Sequence, residues 1–157
     1  MNQLPKKYDL TDRTTKFGIA VIGFCKKVQK DAISNPIVSQ LIRAGTSIGA
    51  NYAEANNASS KKDFRNKVFL CKKEAQETKY WLQMIGEYIT KNEELEKLGR
   101  ENQELLMIFQ KICSSLDNWW IVNLLKIDTW KLKIIQKKSL GQNFLINEGI
   151  LDKIVRA

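Results

Sequence analysis

Apolar side chains recur at alternating intervals of three and four residues along four segments of this chain. The stripes run from Thr14 to Val28, from Val38 to Ala55, from Phe64 to Ile89 and from Leu95 to Leu116. This spacing gives each helix a narrow apolar seam, typical of bundles with shallow left-handed crossing angles. Because the connections are short, neighbouring helices should run antiparallel. The sequence therefore predicts an all-α fold, an antiparallel up-down-up-down four-helix bundle.

Polar residues that favour helix N-termini stand before each stripe. The candidate caps are Thr11 or Asp12, Asn35, Ser59 or Ser60, and Asn92. We expect the first helix to continue to about Asp31. Pro36 directly follows Asn35, which is the pattern of an N-cap and a proline at the first helical position.

Unusual residues interrupt two of the seams. Gly45, Gly49 and Ala53 lie four apart on the second helix. A glycine inside a helix costs about 1 kcal/mol relative to alanine, so we expect close packing of another helix to compensate; the alternative is a flexible hinge. Asn102 occupies a seam position of the fourth helix. If buried it needs a hydrogen-bond partner, and it could fix the helix register.

The third helix carries more apolar surface than one seam requires. Trp81, Met84 and Tyr88 form a second stripe beside the first. Extra apolar surface on an amphipathic helix indicates a second burial partner. The sequence allows either the C-terminal segment of the same chain or another subunit as that partner.

Histidine is absent from the chain. This excludes Ser-His-Asp and Cys-His catalytic sites, Cys/His zinc sites and the Glu-x-x-His pairs of di-iron bundles. The three cysteines, Cys25, Cys71 and Cys113, lie far apart in apolar helical segments. We expect them to be reduced, buried structural thiols, and we expect no cofactor.

Two acidic residues of the third helix allow a different interpretation. Glu74 and Glu77 are three positions apart and share a helical face, as paired carboxylates in a metal site would. The simpler hypothesis is that they pair with Arg43, Lys73 or Lys79 and fix the packing of two helices. No glycine-rich phosphate loop accompanies them, which favours the packing interpretation.

Positive charge predominates, with a formal net charge of +9. Such a balance favours nucleic acid or another acidic partner, although a lysine-rich solvated surface would look the same. The third helix holds a dense basic set, consisting of Lys61, Lys62, Arg65, Lys72, Lys73 and Lys79. These residues are our candidate nucleic-acid contacts. The chain has no motif for base-specific readout.

Several motifs in residues 8–117 occur in the order found in one known family. They are Tyr8-Asp-Leu, Arg13-Thr14, Val21-Ile-Gly-Phe24, Gln40 to Ala55, Asp63-Phe64, Lys72 to Leu82, and Phe109 with Ile112. In these the chain resembles the four-helix-bundle proteins encoded within 23S rRNA intervening sequences. The resemblance implies the bundle fold and a ring-like homo-oligomer, commonly a pentamer, with Trp81, Met84 and Tyr88 partly buried between subunits or beneath the tail.

The C-terminal region differs from that family. Residues 118–157 carry seven Lys and Arg against three Asp and Glu. The segment from Lys137 to Val155 resembles the opening of small-subunit rRNA adenine dimethyltransferases, in which the positions matching Gln142, Asn143 and Phe144 lie at the methyl-donor site. No glycine-rich loop for a methyl donor follows, so we expect no methyltransferase activity. We divide the chain into a bundle, residues 1–117, and an atypical basic tail, residues 118–157, which could record a gene-boundary fusion.

Together these observations predict a non-enzymatic, oligomeric protein of the intervening-sequence type that binds RNA or DNA through basic surfaces. The alternatives are a protein-interaction scaffold and, less favoured, an enzyme with a carboxylate-bound metal. The chain has no uninterrupted apolar run of 18 residues, so we expect no membrane association. Residues 1–7 lack the apolar core of a signal peptide, which favours the cytoplasm.

Overall fold

Four helices make up almost all of the part of the chain that the structure describes. The computed structural model describes residues 9–89 and 92–125, with the side chains of residues 9–89 and 92–117. The helices are α1 (Leu10–Lys27), α2 (Ser34–Asn56), α3 (Lys61–Tyr88) and α4 (Glu93–Leu125). Each contacts the next in the chain, and α1 also contacts α4, so α1 and α3 lie diagonally. None of these helices is apolar over a length that could span a bilayer.

Interhelical contacts establish that neighbouring helices are antiparallel. On the α1–α4 side, Arg13 Nη2 lies 2.9 Å from Glu101 Oε2, and Lys27 Nζ lies 2.9 Å from Glu94 Oε2. Residue numbers therefore rise along α1 as they fall along α4. The α2–α3 pairs, Arg43 with Glu77 and Lys67 with Glu54, follow the same rule. The predicted up-down-up-down bundle is confirmed.

The seams predicted from spacing form the core. All predicted seam positions from Thr14 to Ile112 are buried except Ile89, which is half-buried, and Leu116 beyond them is also half-buried. The cysteines are free and buried, as expected. Burial raises the pKa of the Cys71 thiol to about 12 and that of Cys25 to about 11. These thiols are therefore protonated and weakly nucleophilic near neutral pH.

Two of the four predicted helix starts are confirmed. The Ser60 hydroxyl accepts from the Asp63 backbone N–H at 3.1 Å, which caps α3. At the start of α4, the Asn92 side chain accepts from the Leu95 backbone N–H at 2.9 Å.

The other two predicted caps were wrong. Asp9 caps α1, because its Oδ1 accepts from the Asp12 backbone N–H at 3.1 Å, so Asp12 belongs to the first turn. The first helix also stops at Lys27 rather than near Asp31. Asp31 Oδ1 accepts from the backbone N–H groups of residues 33 and 34, both at 2.8 Å. Helix α2 consequently begins at Ser34, and Asn35 and Pro36 lie inside its first turn.

Glycine allows α1 and α2 to approach closely. A Cβ atom at Gly45 would lie 3.0 Å from both Cγ atoms of Val21, and one at Gly49 would lie 3.4 Å from the Thr14 carbonyl oxygen. The close approach predicted for this row is therefore confirmed at both glycines. Ala53, the third member of the row, is exposed and takes no part in it.

Asn102 connects the third and fourth helices. Its side chain is fully buried, and Nδ2 donates to the Ala75 carbonyl oxygen at 2.9 Å. The expected partner is therefore present on the neighbouring helix. The register-fixing role stays a prediction.

Helix α4 continues past residue 117, where we placed the boundary between the bundle and the tail. Residues 118–125 form the last turns of this helix. The rest of the predicted tail, including the segment that resembles dimethyltransferases, lies outside the described residues.

Candidate nucleic-acid interface

The predicted basic set occupies two different sides of α3. Arg65 Nε donates to Asp117 Oδ1 at 2.8 Å, and Lys79 Nζ donates to Gln103 Oε1 at 3.0 Å, so both residues lie against α4. Lys61, four residues before Arg65, shares that side by helical spacing. Lys62 and Lys73 are exposed and lie further from α4, on the side of α3 opposite its seam. Lys72, seven residues after Arg65, shares the α4 side by helical spacing and is half-buried, but its ammonium group lies over the Phe69 ring.

The side chains that pair with these cations leave different amounts of positive charge available to a ligand. The Asp117 carboxylate offsets the charge of Arg65, whereas Gln103 is neutral and leaves the charge of Lys79 in place. Lys73 faces a solvated surface and lies near enough to Glu77 to help lower the pKa of that carboxyl group. Away from α4, the exposed cations of the set are Lys62 and Lys73, and Lys72 joins them through its ammonium group over Phe69. We call the side of α3 that carries them the outer face.

Two exposed aromatic side chains share the outer face, and the sequence reasoning missed them. Phe69 is 48% exposed and Tyr80 is 50% exposed. Lys72 Nζ lies 5.4 Å from the centre of the Phe69 ring, within the range of a cation–π interaction. Tyr80 packs edge-on against Trp81, with ring centres 4.9 Å apart. The available signal was that both residues fall outside the seam and are separated by 11 positions, three helical turns.

The paired carboxylates contact an arginine across the α2–α3 interface. Glu77 Oε1 accepts from an Arg43 Nη group and, at 3.2 Å, from Trp81 Nε1. The hydrogen bond from Trp81 has the largest effect and lowers the pKa of Glu77; burial opposes it, and the bond from Arg43 lowers the pKa further. Glu74 Oε2 lies 3.8 Å from Arg43 Nη1, too far for a hydrogen bond, and burial raises its pKa.

This arrangement agrees with the packing interpretation. Arg43 connects α2 to two carboxylates of α3, which is what a helix-pairing contact requires. Among the side chains described, those of residues 9–89 and 92–117, no three metal-ligating groups come together.

Neutralising Glu74 and neutralising Glu77 should have different effects on the stability of the protein. Glu77→Gln should lower the free energy of unfolding at pH 7 by up to about 1 kcal/mol, because it weakens the contact with Arg43. Glu74→Gln should leave stability unchanged or raise it, since folding places this charge in a site that disfavours ionisation. The cost at Glu74 should begin to decrease as pH falls through its raised pKa and vanish below the ordinary value, whereas the gain at Glu77 should be fully lost only as pH falls through its lowered pKa. Urea unfolding at pH 7 and pH 4 would test both; a larger loss from Glu74→Gln would contradict this assignment.

The described part of the chain covers the second apolar stripe only partly. Trp81 and Met84 are half-buried, while Tyr88 is 39% exposed. Trp81 packs on the core, and the Tyr88 hydroxyl donates to Asp31 Oδ2. This hydrogen bond is the largest of several that lower the pKa of Asp31 to about 2. Each aromatic ring thus has a contact within the chain and surface left for another partner.

Comparison with known proteins agrees with the fold. Residues 6–111 match the family of 23S rRNA-intervening sequence proteins. A solved structure from Bacteroides thetaiotaomicron, described as a protein with unknown function from the S23 ribosomal protein family, is 33% identical with a TM-score of 0.58. The similarity covers 67% of this chain and 98% of that one. No curated protein matches the chain. The resemblance in the helical motifs is confirmed: the chain belongs to the 23S rRNA-intervening sequence protein family.

Proposed function

We propose that this protein is a non-enzymatic, oligomeric nucleic-acid-binding protein whose contact surface is the outer face of α3. The observation that carries the proposal is that Lys62 and Lys73 are exposed on the side of the long helix α3 opposite its seam, while the half-buried Lys72 places its ammonium group over Phe69 on that side. Lysine ammonium groups bind phosphates as point charges, and each contact releases condensed counterions. The net charge of +9 also attracts the negatively charged nucleic acid at long range.

Charge neutralisation on the outer face tests this proposal. Changing Lys62, Lys72 and Lys73 together to Gln should weaken binding to unrelated RNAs alike. For single strands, each lost phosphate contact should reduce the slope of log affinity against log salt by about 0.7. The variant leaves Arg65 unchanged, because Arg65 also holds α4 through Asp117. Fluorescence anisotropy over a range of salt concentrations would give both affinity and slope.

A control with the same charge is available on the opposite side of the bundle. Lys16, Lys26 and Lys30 lie on or just after α1, the helix diagonal to α3, and all three are exposed. Changing them to Gln should lower affinity less than the α3 variant does. Equal losses of affinity in the two variants would mean that only the net charge of the protein matters, not the position of the lysines. If only deletion of residues 126–157 abolished binding, the basic tail would be the contact instead.

We also propose self-association through the second apolar stripe, Trp81, Met84 and Tyr88. Support comes from its partly exposed apolar surface, which lies next to the core and is only partly covered by the described part of the chain. We expect a homo-oligomer, with a pentamer favoured, at micromolar concentration in light scattering. A monodisperse monomer would contradict this. Repetition of the outer face around a ring would multiply weak phosphate contacts through avidity.

The scaffold alternative is favoured if the wild-type protein fails to bind RNA at low salt. In that case the exposed aromatic and apolar side chains would serve protein partners. We assign the protein to the cytoplasm in either case, since three free, buried cysteines suit a reducing compartment.

A further inference from the structure

Phe69 and Tyr80 lie along one line on the outer face of α3. A separation of 11 residues turns a helix through just over three full turns and advances it by about 16 Å. Lys73 lies four residues beyond Phe69 and seven before Tyr80, so it falls on the same line between the rings. The line therefore presents an aromatic ring, a cation and a second aromatic ring to solvent.

Neither ring is needed to cover the core. The buried seam of α3 lies on the opposite side, and both rings are about half exposed. Contacts nevertheless support them: the ammonium group of Lys72 stands over Phe69, and Tyr80 rests edge-on against Trp81. Trp81 is itself held by its hydrogen bond to Glu77. The contact with Trp81 therefore holds the Tyr80 ring in position on the surface of α3.

We propose that the outer face of α3 binds single-stranded nucleic acid, with bases stacked on Phe69 and Tyr80 and phosphates held by Lys62, Lys72 and Lys73. Base–aromatic stacking beside lysines is the usual way in which proteins hold single strands without reading their sequence. In a duplex the base faces are covered by neighbouring base pairs, so only single strands can use the rings. The inference rests on the proposed function and specifies its ligand.

The spacing sets the length of strand that can use both rings. At a rise of about 3.4 Å per nucleotide, a stacked strand covers the distance of about 16 Å in about five steps, which takes about six nucleotides. Affinity should therefore increase sharply as an oligonucleotide lengthens past about five or six nucleotides. Shorter strands reach only one ring.

Leucine substitutions separate stacking from charge. Phe69→Leu and Tyr80→Leu keep an apolar side chain with good helix propensity and leave every charge in place. Each should weaken binding of a 12-nucleotide single strand at least fivefold, while affinity for a 12-base-pair duplex changes less than twofold. The salt slope should not change. Met107→Leu, at a 60% exposed position on α4, is the matched control and should alter neither affinity.

The outcomes distinguish this inference from the proposed function. If both leucine variants bind single strands as tightly as wild type while the triple lysine variant loses affinity, stacking is wrong and phosphate binding stands. If neither the rings nor the lysines matter, both proposals fail. If the leucine variants instead form smaller particles in light scattering, a second copy of the chain covers the rings, which overturns the stacking assignment. Selective loss of single-strand affinity at unchanged particle size supports it.

Discussion

Phe109→Ala is expected to lower the free energy of unfolding by about 3–5 kcal/mol. The Phe109 side chain is completely buried in the bundle core, and its ring centre lies 5.8 Å from that of Tyr52 on α2 in a tilted arrangement. The substitution removes a large apolar group, leaves a cavity between helices and deletes the aromatic pair. Typical domains have only about 5–15 kcal/mol of stability, so the variant should approach the limit of folding. Urea unfolding followed by helical circular dichroism would measure the loss.

The same chemical change on the outer face is the control. Phe69→Ala removes an identical side chain from a position that is 48% exposed, and it should cost well under 1 kcal/mol. The difference between the two variants isolates the contribution of burial from that of the residue type. Equal losses would mean that the core assignment of α4 is wrong.

The core could be predicted because burial in a helical bundle is periodic along the chain. Positions such as Val21, Leu41, Val68 and Leu105 were selected by intervals of three and four alone, and all are completely buried. The period of the α-helix converts a one-dimensional pattern into a face, and short connections fix the direction of each neighbour. No long-range information was needed for this part of the fold.

Helix ends depended on choices that spacing does not resolve. Asp9, Thr11 and Asp12 all favour an N-cap, and only the backbone path decides that the carboxylate of Asp9 meets the N–H of Asp12. The Asn35-Pro36 pattern was a strong local signal, yet the turn after α1 brings Asp31 to the first free N–H groups of α2. Capping is a contact between side chain and backbone, and several nearby residues can compete for it.

The candidate interface was predicted only in part for a different reason. Helical spacing indicates which lysines share a side of α3, but it gives no information about what the neighbouring helix presents to them. Asp117, which pairs with Arg65, lies 52 residues away in sequence. Exposure of Phe69 and Tyr80 likewise follows from which side of α3 the other helices cover.

Gly45→Leu tests the helix register most directly. A Cβ atom at this position would lie 3.0 Å from both methyl carbons of Val21, closer than ordinary van der Waals contact, and a leucine extends further toward α1. Helix α1 must move away or Val21 must leave its preferred rotamer, and such overpacking costs about 1–3 kcal/mol or more. We expect a clear decrease in the melting temperature measured by circular dichroism.

Gly23→Leu provides a control of opposite sign within the same bundle. A Cβ atom at Gly23 would meet no described atom within 4 Å, so a side chain there starts in open space, and we expect leucine to add helix propensity. This variant should be stabilised by up to about 1 kcal/mol relative to wild type. The same substitution should therefore raise the melting temperature at Gly23 and lower it at Gly45. A Gly45→Leu variant that melts within about a degree of wild type would mean that Gly45 faces solvent, and the α1–α2 packing described above would be wrong.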